Sequence, residues 1–509
     1  MTTTNAAATT TAGGVPASRG PALDTQAAPC APPESAPAPQ ATEPEHEPLV
    51  PKSLTDRGNA VLFQRLYGED FRYVPGIGWY RWAGSRWAID LEARAVSEAA
   101  FELGEALAPR DPRQRFTSAQ LRRHIDRTLN DQGNQALIRV ARKMPAFHLP
   151  ADRLDADPYA LCTPDGVVDL RTGALRPPHP SQFHTRSALC APQPMPTPLW
   201  DQYLFDTFGG GPQGAALTAY MQRVMGYTAS GLTSAQIVPF LFGQGGNGKS
   251  VLAGVLQRLL GDYADTAPHD FLMAKPYSDH PTELADLQGR RFIVCSELNP
   301  GARFDQARMT LLSGSDRIKA RKVRQDFFSF WPTHTMWLIG NHRPAVPAGG
   351  RGFWRRLRLI PFERTVSRVI TDLDVHLVEA EGPGILHWVI EGALNYLNGD
   401  DPHLKNSQAV EAATRDYAQA EDTFGRFLTD CCKLGDPEAL RCEQTLLRLA
   451  YEAWCAEEGL DPIKPRHLGE KVRLVIKHPP GTNLPKLNGR KYYMGIELTN
   501  PPAGLQGPT

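Results

Sequence analysis

The chain has 509 residues, 41% of them hydrophobic, and its 55 lysines and arginines balance 55 aspartates and glutamates, for a formal net charge of zero. That length accommodates two to four domains with real cores, while the balanced charge excludes a globally basic nucleic-acid coat, so any such contact has to come from a local cluster. No apolar run approaches the ~20 residues that span a bilayer, no secretory signal is apparent, and the eight cysteines include no C-x-x-C pair, which argues for buried thiols in a reducing cytoplasm rather than a metal centre.

Residues 1–50 are almost entirely Ala, Thr, Pro, Gly and Ser, with too few large apolar groups to offset ordering entropy, and are expected to form a disordered tail. Next, "GWYRWAGSRWAID" (78–90) reads as two aromatic strands around an Ala-Gly-Ser turn. Its Trp79, Tyr80, Trp82 and Trp87 read as core packing rather than base stacking. Helical spacing follows over 95–107, and "LCTPDGVVDLRTGAL" (161–175) reads as a strand pair punctuated by Asp165-Gly166 and Thr172-Gly173 turns. Residues 51–199 thus form an expected N-terminal α+β domain with no catalytic constellation.

Chemistry concentrates in residues 200–368. "GQGGNGKS" (243–250) matches G-x-x-x-x-G-K-[ST]. The apolar run before it has buried-strand length, and after Lys249 the residues Leu252, Val255, Leu256, Leu259 and Leu260 recur at helical spacing until Gly261. Strand, glycine loop and helix stand in the order a phosphate cradle needs: Gly243, Gln244, Gly245, Gly246, Asn247 and Gly248 turn backbone N–H groups inward. Lys249 would reach the β/γ-phosphates of ATP and the Ser250 hydroxyl would ligate Mg²⁺. A second apolar strand, 292–295, ends in Ser296-Glu297, placing Glu297 to polarise water or hold the Mg²⁺ shell. A third, "HTMWLIGN" (334–341), ends in Asn341, a candidate γ-phosphate sensor.

Between those strands lies the densest basic run, with Arg317, Lys319, Arg321, Lys322 and Arg324. The first three alternate, so an extended hairpin would present them on one face, suited to sequence-independent tracking of single strands. "GFWRRLRLIPF" (352–362) then places Arg355 and Arg356 before another apolar strand. Residues 369–500 hold a helix over 384–399, two further helical stretches, and "KLNGRKYYMGIEL" (486–498), an Asn-Gly hairpin. Helices followed by that hairpin suggest a winged-helix-like module, binding DNA through Arg490 and Lys491 or serving as a structural cap; 501–509 is a tail. The D-x-D at Asp372 and Asp374 reads as a loop.

Taken together, "GQGGNGKS", "FIVCSE", "LSGSDRIKARKV", "TMWLIGN" and "GFWRRLRLIPF" resemble, in that order, the superfamily-3 DNA helicases of the phage and plasmid primase-helicase branch. "DGVVDLRTG" (165–173) is similar to the domain preceding the helicase in that branch. The resemblance implies an α/β P-loop NTPase (AAA+-like) core that binds ATP and Mg²⁺. Lys249, Glu297 and Asn341 would act in hydrolysis, Arg356 would be supplied in trans with Arg355 its substitute, and Lys319, Arg321 and Lys322 would touch DNA. It implies a homo-hexameric ring translocating on single-stranded and forked DNA.

Family members often carry a primase domain with clustered carboxylates for two metals. No D-x-D follows an apolar strand in residues 51–199, so only helicase activity is expected of this chain, with a separate primase or polymerase as partner. The leading expectation is an ATP-dependent replicative helicase of a phage or mobile element. An ATP-switched initiator or loader without processive unwinding is the alternative, and a P-loop kinase or packaging ATPase the third reading.

Overall fold

The computed structural model describes residues 48–499 except 276–280, 297, 322–326, 347–349, 367–368 and 480. The expected tails, 1–47 and 500–509, lie outside the described residues, as do Glu297, Lys322 and Arg324. Among the described residues no helix is long and apolar enough to cross a membrane.

The first elements are α1 (Asp56–Tyr67), β1 (Phe71–Val74), β2 (Gly78–Trp82), β3 (Trp87–Asp90), α2 (Arg94–Ala106), α3 (Ser118–Thr128) and α4 (Asp131–Ala141). Local chemistry fixes their ends. Thr55 caps α1 by accepting from the Gly58 amide at 3.1 Å, Thr117 and Gln120 form a reciprocal capping box on α3, and Asn130 caps α4. The aromatic strands pair antiparallel with Trp82 opposite Trp87, as the turn chemistry predicts. Phe63, Phe71, Trp79 and Phe147 fill one core, their rings 5.6–6.4 Å apart.

A meander follows: β4 (Ala160–Thr163), β5 (Gly166–Asp169) and β6 (Ala174–Arg176), the sequence's strand pair with a third strand added. Then come α5 (Pro198–Phe208), α6 (Gly211–Ala229), β7 (Val238–Phe242), α7 (Lys249–Leu260), β8 (Ala264–Thr266), α8 (Pro281–Ala285), β9 (Phe292–Cys295) and α9 (Gln306–Leu312). These are followed by β10 (Ile318–Ala320), β11 (Phe328–Phe330), β12 (Thr335–Gly340), α10 (Arg351–Trp354), β13 (Leu357–Pro361) and α11 (Leu373–Leu397).

Five of these strands form one parallel sheet in the order β13-β7-β12-β9-β8. Every residue of β12 is buried, as a parallel strand covered on both faces must be. Its side chains alternate between two cores. Trp337 and Ile339 join Phe292, Val294, Leu241 and α7 on one face, while Met336 and Leu338 join Ile293, Cys295, Phe240 and Met309 on the other. Residues 160–170 pack into the first of these cores. There the buried Arg291 donates to the carbonyls of Ala229 and Ala160 at 2.6 Å each and stacks over Tyr263 at 4.5 Å.

Helix α11 is longer than the sequence suggested. Pro383 stands inside it, and Asp372 and Asp374, read as loop, are its cap and first turn, where Asp374 accepts from Arg258 at 2.7 Å. It crosses α6 with backbones in direct approach: a Cβ on Gly226 would meet the Ala393 amide at 2.0 Å, and one on Gly392 the Gln222 carbonyl at 2.0 Å. Only glycine permits that crossing. Buried Glu381 of α11 accepts from the Leu199 and Trp200 amides at 2.9 Å each, fixing the N-terminus of α5 with a carboxylate where the helix dipole favours one.

The remaining elements are α12 (Gln408–Glu421), α13 (Thr423–Cys431), β14 (Cys432–Leu434), β15 (Arg441–Glu443), α14 (Gln444–Glu457), α15 (Pro465–Val475), β16 (Lys486–Leu487), β17 (Arg490–Met494) and β18 (Ile496–Leu498). The Asn-Gly hairpin joins β16 to β17, which also pairs with β15. Phe427, Tyr451, Trp454 and Leu468 centre a separate core there.

Candidate functional site

Parallel register delivers the ends of three strands to one edge of the sheet. Phe242 of β7 lies beside Gly340 of β12, and Leu338 of β12 beside Cys295 of β9, so the residues that follow each strand converge. They open onto a cleft of about 880 Å³ lined by Gly245 through Ser250, Ser296, Asn341 and His342. The structure thus brings Lys249, Ser250 and Asn341 together. Gly243 is buried outside the lining, and Gln244 is exposed outside it.

The loop is built from glycines for steric reasons. Gly245, Gly246 and Gly248 have φ of +105°, +60° and +85°, which side-chained residues rarely adopt. Gly243 is required by contact instead, since a Cβ there would lie 2.2 Å from both the Phe362 carbonyl and Asn247 Nδ2. Lys249, only 5% exposed, donates from Nζ to the Gly243 carbonyl and to Asn247 Oδ1, each at 2.7 Å. Asn247 Nδ2 in turn donates to Phe362 O at 2.6 Å. Burial lowers the pKa of the Lys249 ammonium. Gly248 caps α7, so the unpaired amides of the helix's first turn lie at the cleft.

Several residues that hold this loop lie far from it in sequence. Tyr203 of α5 donates its hydroxyl to the Gly248 carbonyl at 2.9 Å, and the Val366 amide donates to Gly246 O at 3.0 Å. Asp206 and the apolar Val369, Ile370 and Leu373 complete the rim. Ser296 lines the cleft one residue before Glu297, which lies outside the described residues. No group of three or more His, Cys, Asp or Glu side chains suited to a metal occurs among the described residues.

The arginine pair stands at the opposite edge. Arg355 and Arg356 precede β13, and five strand residues, roughly 16 Å at 3.3 Å each, separate them from the glycine loop. Arg355 is exposed and donates to Gln236 Oε1 at 2.7 Å. Arg356, the residue singled out from sequence, is 6% exposed and donates to Ser313 Oγ at 3.1 Å and Ser313 O at 3.3 Å. Desolvation lowers the pKa of its guanidinium, with the adjacent Arg355 adding to the effect. A side chain buried and bonded within its own chain is an anchor, so the member of the pair that faces solvent is Arg355.

The basic run forms the expected hairpin. β10 and β11 pair antiparallel, with Ile318 and Ala320 buried and Arg317, Lys319 and Arg321 exposed on one face. At the C-terminal hairpin Arg490 pairs with Glu443 at 2.9 Å, and Lys491 is exposed.

Comparison with known proteins places the chain. Residues 60–209 match the family model described as D5 N terminal like, and residues 241–356 match one described as a family of unknown function, DUF5906. Over residues 60–209 the chain is therefore similar to the D5 N-terminal-like family. It is 28% identical over 215 residues to "Putative helicase L207/L206" of Acanthamoeba polyphaga mimivirus, and 23% identical over 260 residues to "Putative helicase 022R" of Frog virus 3. Those alignments take in 41% and 47% of this chain but only 22% and 26% of the relatives, so the chain corresponds to about a quarter of their length. The apo structure of the NrS-1 C-terminal region aligns over 60% of this chain and 77% of that one, at 11% identity and a TM-score of 0.36, a likeness too loose to build on.

Proposed function

We propose that this chain is a replication protein of the helicase and primase-helicase kind, and that it works as an ATP-driven DNA helicase in a phage or mobile element. Its relatives' names support the first part; the geometry of the sheet supports the second. Gly245 through Ser250 would wrap the triphosphate with backbone amides, Lys249 would neutralise its terminal phosphates, and Asn341 would sense the γ-phosphate. Mg²⁺ usually keeps several waters and takes only one or two protein ligands. The exposed Ser250 hydroxyl fits that need, with Glu297 assigned from sequence to the metal's shell or to the attacking water. Bound there, the ion would offset the charge that develops on the phosphates.

The single observation that carries the helicase reading is the separation of Arg355 from its own cleft. An exposed arginine at the amino edge of the sheet has no route to the Lys249 loop of the same chain, yet it suits the cleft of a neighbouring copy. Donation passed head to tail from copy to copy closes into a ring, for which we propose a homo-hexamer around single-stranded or forked DNA. The basic face of Arg317, Lys319 and Arg321, joined in sequence by Lys322, would grip the strand. Helices α13, α14 and α15 with the β16–β17 hairpin would form the winged-helix-like module, offering Lys491 and Arg490 to DNA.

The test is ATP hydrolysis measured with and without single-stranded DNA, alongside native mass. Strand-stimulated turnover by an oligomer is the expected result; brisk turnover by a lone subunit would refute the shared site. Unwinding of a partial duplex separates the helicase from an initiator or loader that only switches on ATP.

A further inference from the structure

The exposed side of the β10–β11 ribbon carries more than positive charge. Its register sets Ile318 against Phe330, Lys319 against Ser329 and Ala320 against Phe328, and the same count sets Arg317 across from Trp331 and Arg321 across from Phe327. One face is core, with Ile318, Ala320 and Phe330 all buried. The other presents a column of cations beside a column reading Phe327, Ser329, Trp331. Trp331 is 59% exposed and Phe327 51%, although other large rings in the chain, such as Trp87, Trp200 and Trp337, are wholly buried.

Each exposed ring is held by the cations opposite. The Arg317 guanidinium lies 5.4 Å from the Trp331 centroid, and Arg321 and Lys319 each lie 5.0 Å from that of Phe327. No carboxylate stands among the described residues of either column. A ring with a cation against it keeps its remaining surface open, and the surrounding charge favours a polyanion that also presents flat apolar faces. A single nucleic-acid strand has both properties in every unit. A protein surface would have to bring carboxylates and an apolar pocket together.

We propose that Phe327 and Trp331 are base-stacking residues: the ribbon holds single-stranded DNA by its bases as well as its phosphates, with Arg317, Lys319 and Arg321 orienting the rings and neutralising the backbone. This rests on the DNA-translocating reading given above, but adds a contact that phosphate tracking does not need. Because every base has a π face, the contact is indifferent to sequence, as a translocating protein requires.

The measurement is the affinity of the full-length protein for a short oligothymidylate and for an abasic strand of equal length, which carries the same phosphates without bases. The wild-type protein should prefer the thymidylate by about tenfold per ring. Phe327→Ala with Trp331→Ala should remove that preference while leaving abasic binding unchanged, and Phe327→Tyr with Trp331→Phe should restore it. Equal wild-type affinity for the two strands would overturn stacking and leave the strand-binding reading standing. Absence of binding to either would overturn both. Loss of the native oligomer in the double alanine variant, with the thymidylate preference intact, would assign the rings to a subunit contact and overturn the proposal.

Discussion

The two ends of the parallel sheet differ in what they expose. At the carboxyl edge, polar residues that follow three strands gather around a cleft, and Lys249, Ser296 and Asn341 line it together because register aligns their strands. At the amino edge Arg356 and His334 are buried, Arg355 points to solvent, and the basic ribbon hangs just before β12. One edge gathers groups around a common centre, and the other turns its charged groups away from any centre of its own. The proposed shared site would use that contrast, one edge of the sheet binding the nucleotide and the other offering an arginine to a second molecule.

The strongest way to break this comparison is to separate the edges genetically. Arg355→Ala should lower ATP turnover about 1,000-fold while leaving nucleotide affinity near wild type, and Lys249→Ala should be comparably inactive. Mixing the two inactive variants should recover turnover, since a mixed ring pairs an intact loop with an intact arginine; no recovery in a mixed oligomer of confirmed composition would sink the shared site. Next in size, Asn341→Ala at the carboxyl edge should cost about 100-fold in turnover, seen in steady-state phosphate release, with folding unchanged because the side chain is exposed.

Arg356 sharpens the comparison through stability. Arg356→Ala strips two hydrogen bonds from Ser313 in a buried setting and should lower unfolding free energy by about 2 kcal/mol, read from denaturant midpoints. Arg355→Ala should hardly move them.

The smallest effect belongs to His334. Burial pushes its imidazole pKa down to about 4, against the opposing pull of a backbone contact at Leu312. The unfolded chain takes up a proton near pH 6.5, whereas the folded chain declines one until about 4, so acid favours the unfolded state across that window. Between pH 7.5 and 5.5 this group should remove about 1 kcal/mol of stability, and His334→Leu should flatten that part of the profile. An unchanged slope would remove the assignment.

What sequence made legible was local. Glycines that need positive φ, apolar strands of buried length, helical spacing after Lys249 and the alternation of Arg317, Lys319 and Arg321 each follow from a few neighbouring residues, and each appears in the structure. The contacts that support the loop were not legible. Tyr203 bonds Gly248 from 45 residues upstream, and Glu381 holds the helix that carries Tyr203 from 181 residues beyond Trp200. Neither pairing leaves a periodic trace. Arg355 and Arg356 were legible as a pair, but which one faces solvent depends on Ser313, which reaches them only through the fold. Helix α11 is legible only from Gly384, since Gly382, Pro383 and Gly384 resemble a break, whereas tertiary packing keeps the helix continuous: a Cβ on Gly384 would strike Met195 and Thr197.

Arg355 and Arg356 are joined by one peptide, so an exposed guanidinium and a buried one leave the backbone at neighbouring positions. The inward one is clasped to Ser313, four residues before the ribbon's first cation. A copy of the chain that gathered Arg355 into its cleft would thus sit beside the foot of the ribbon proposed to hold the strand.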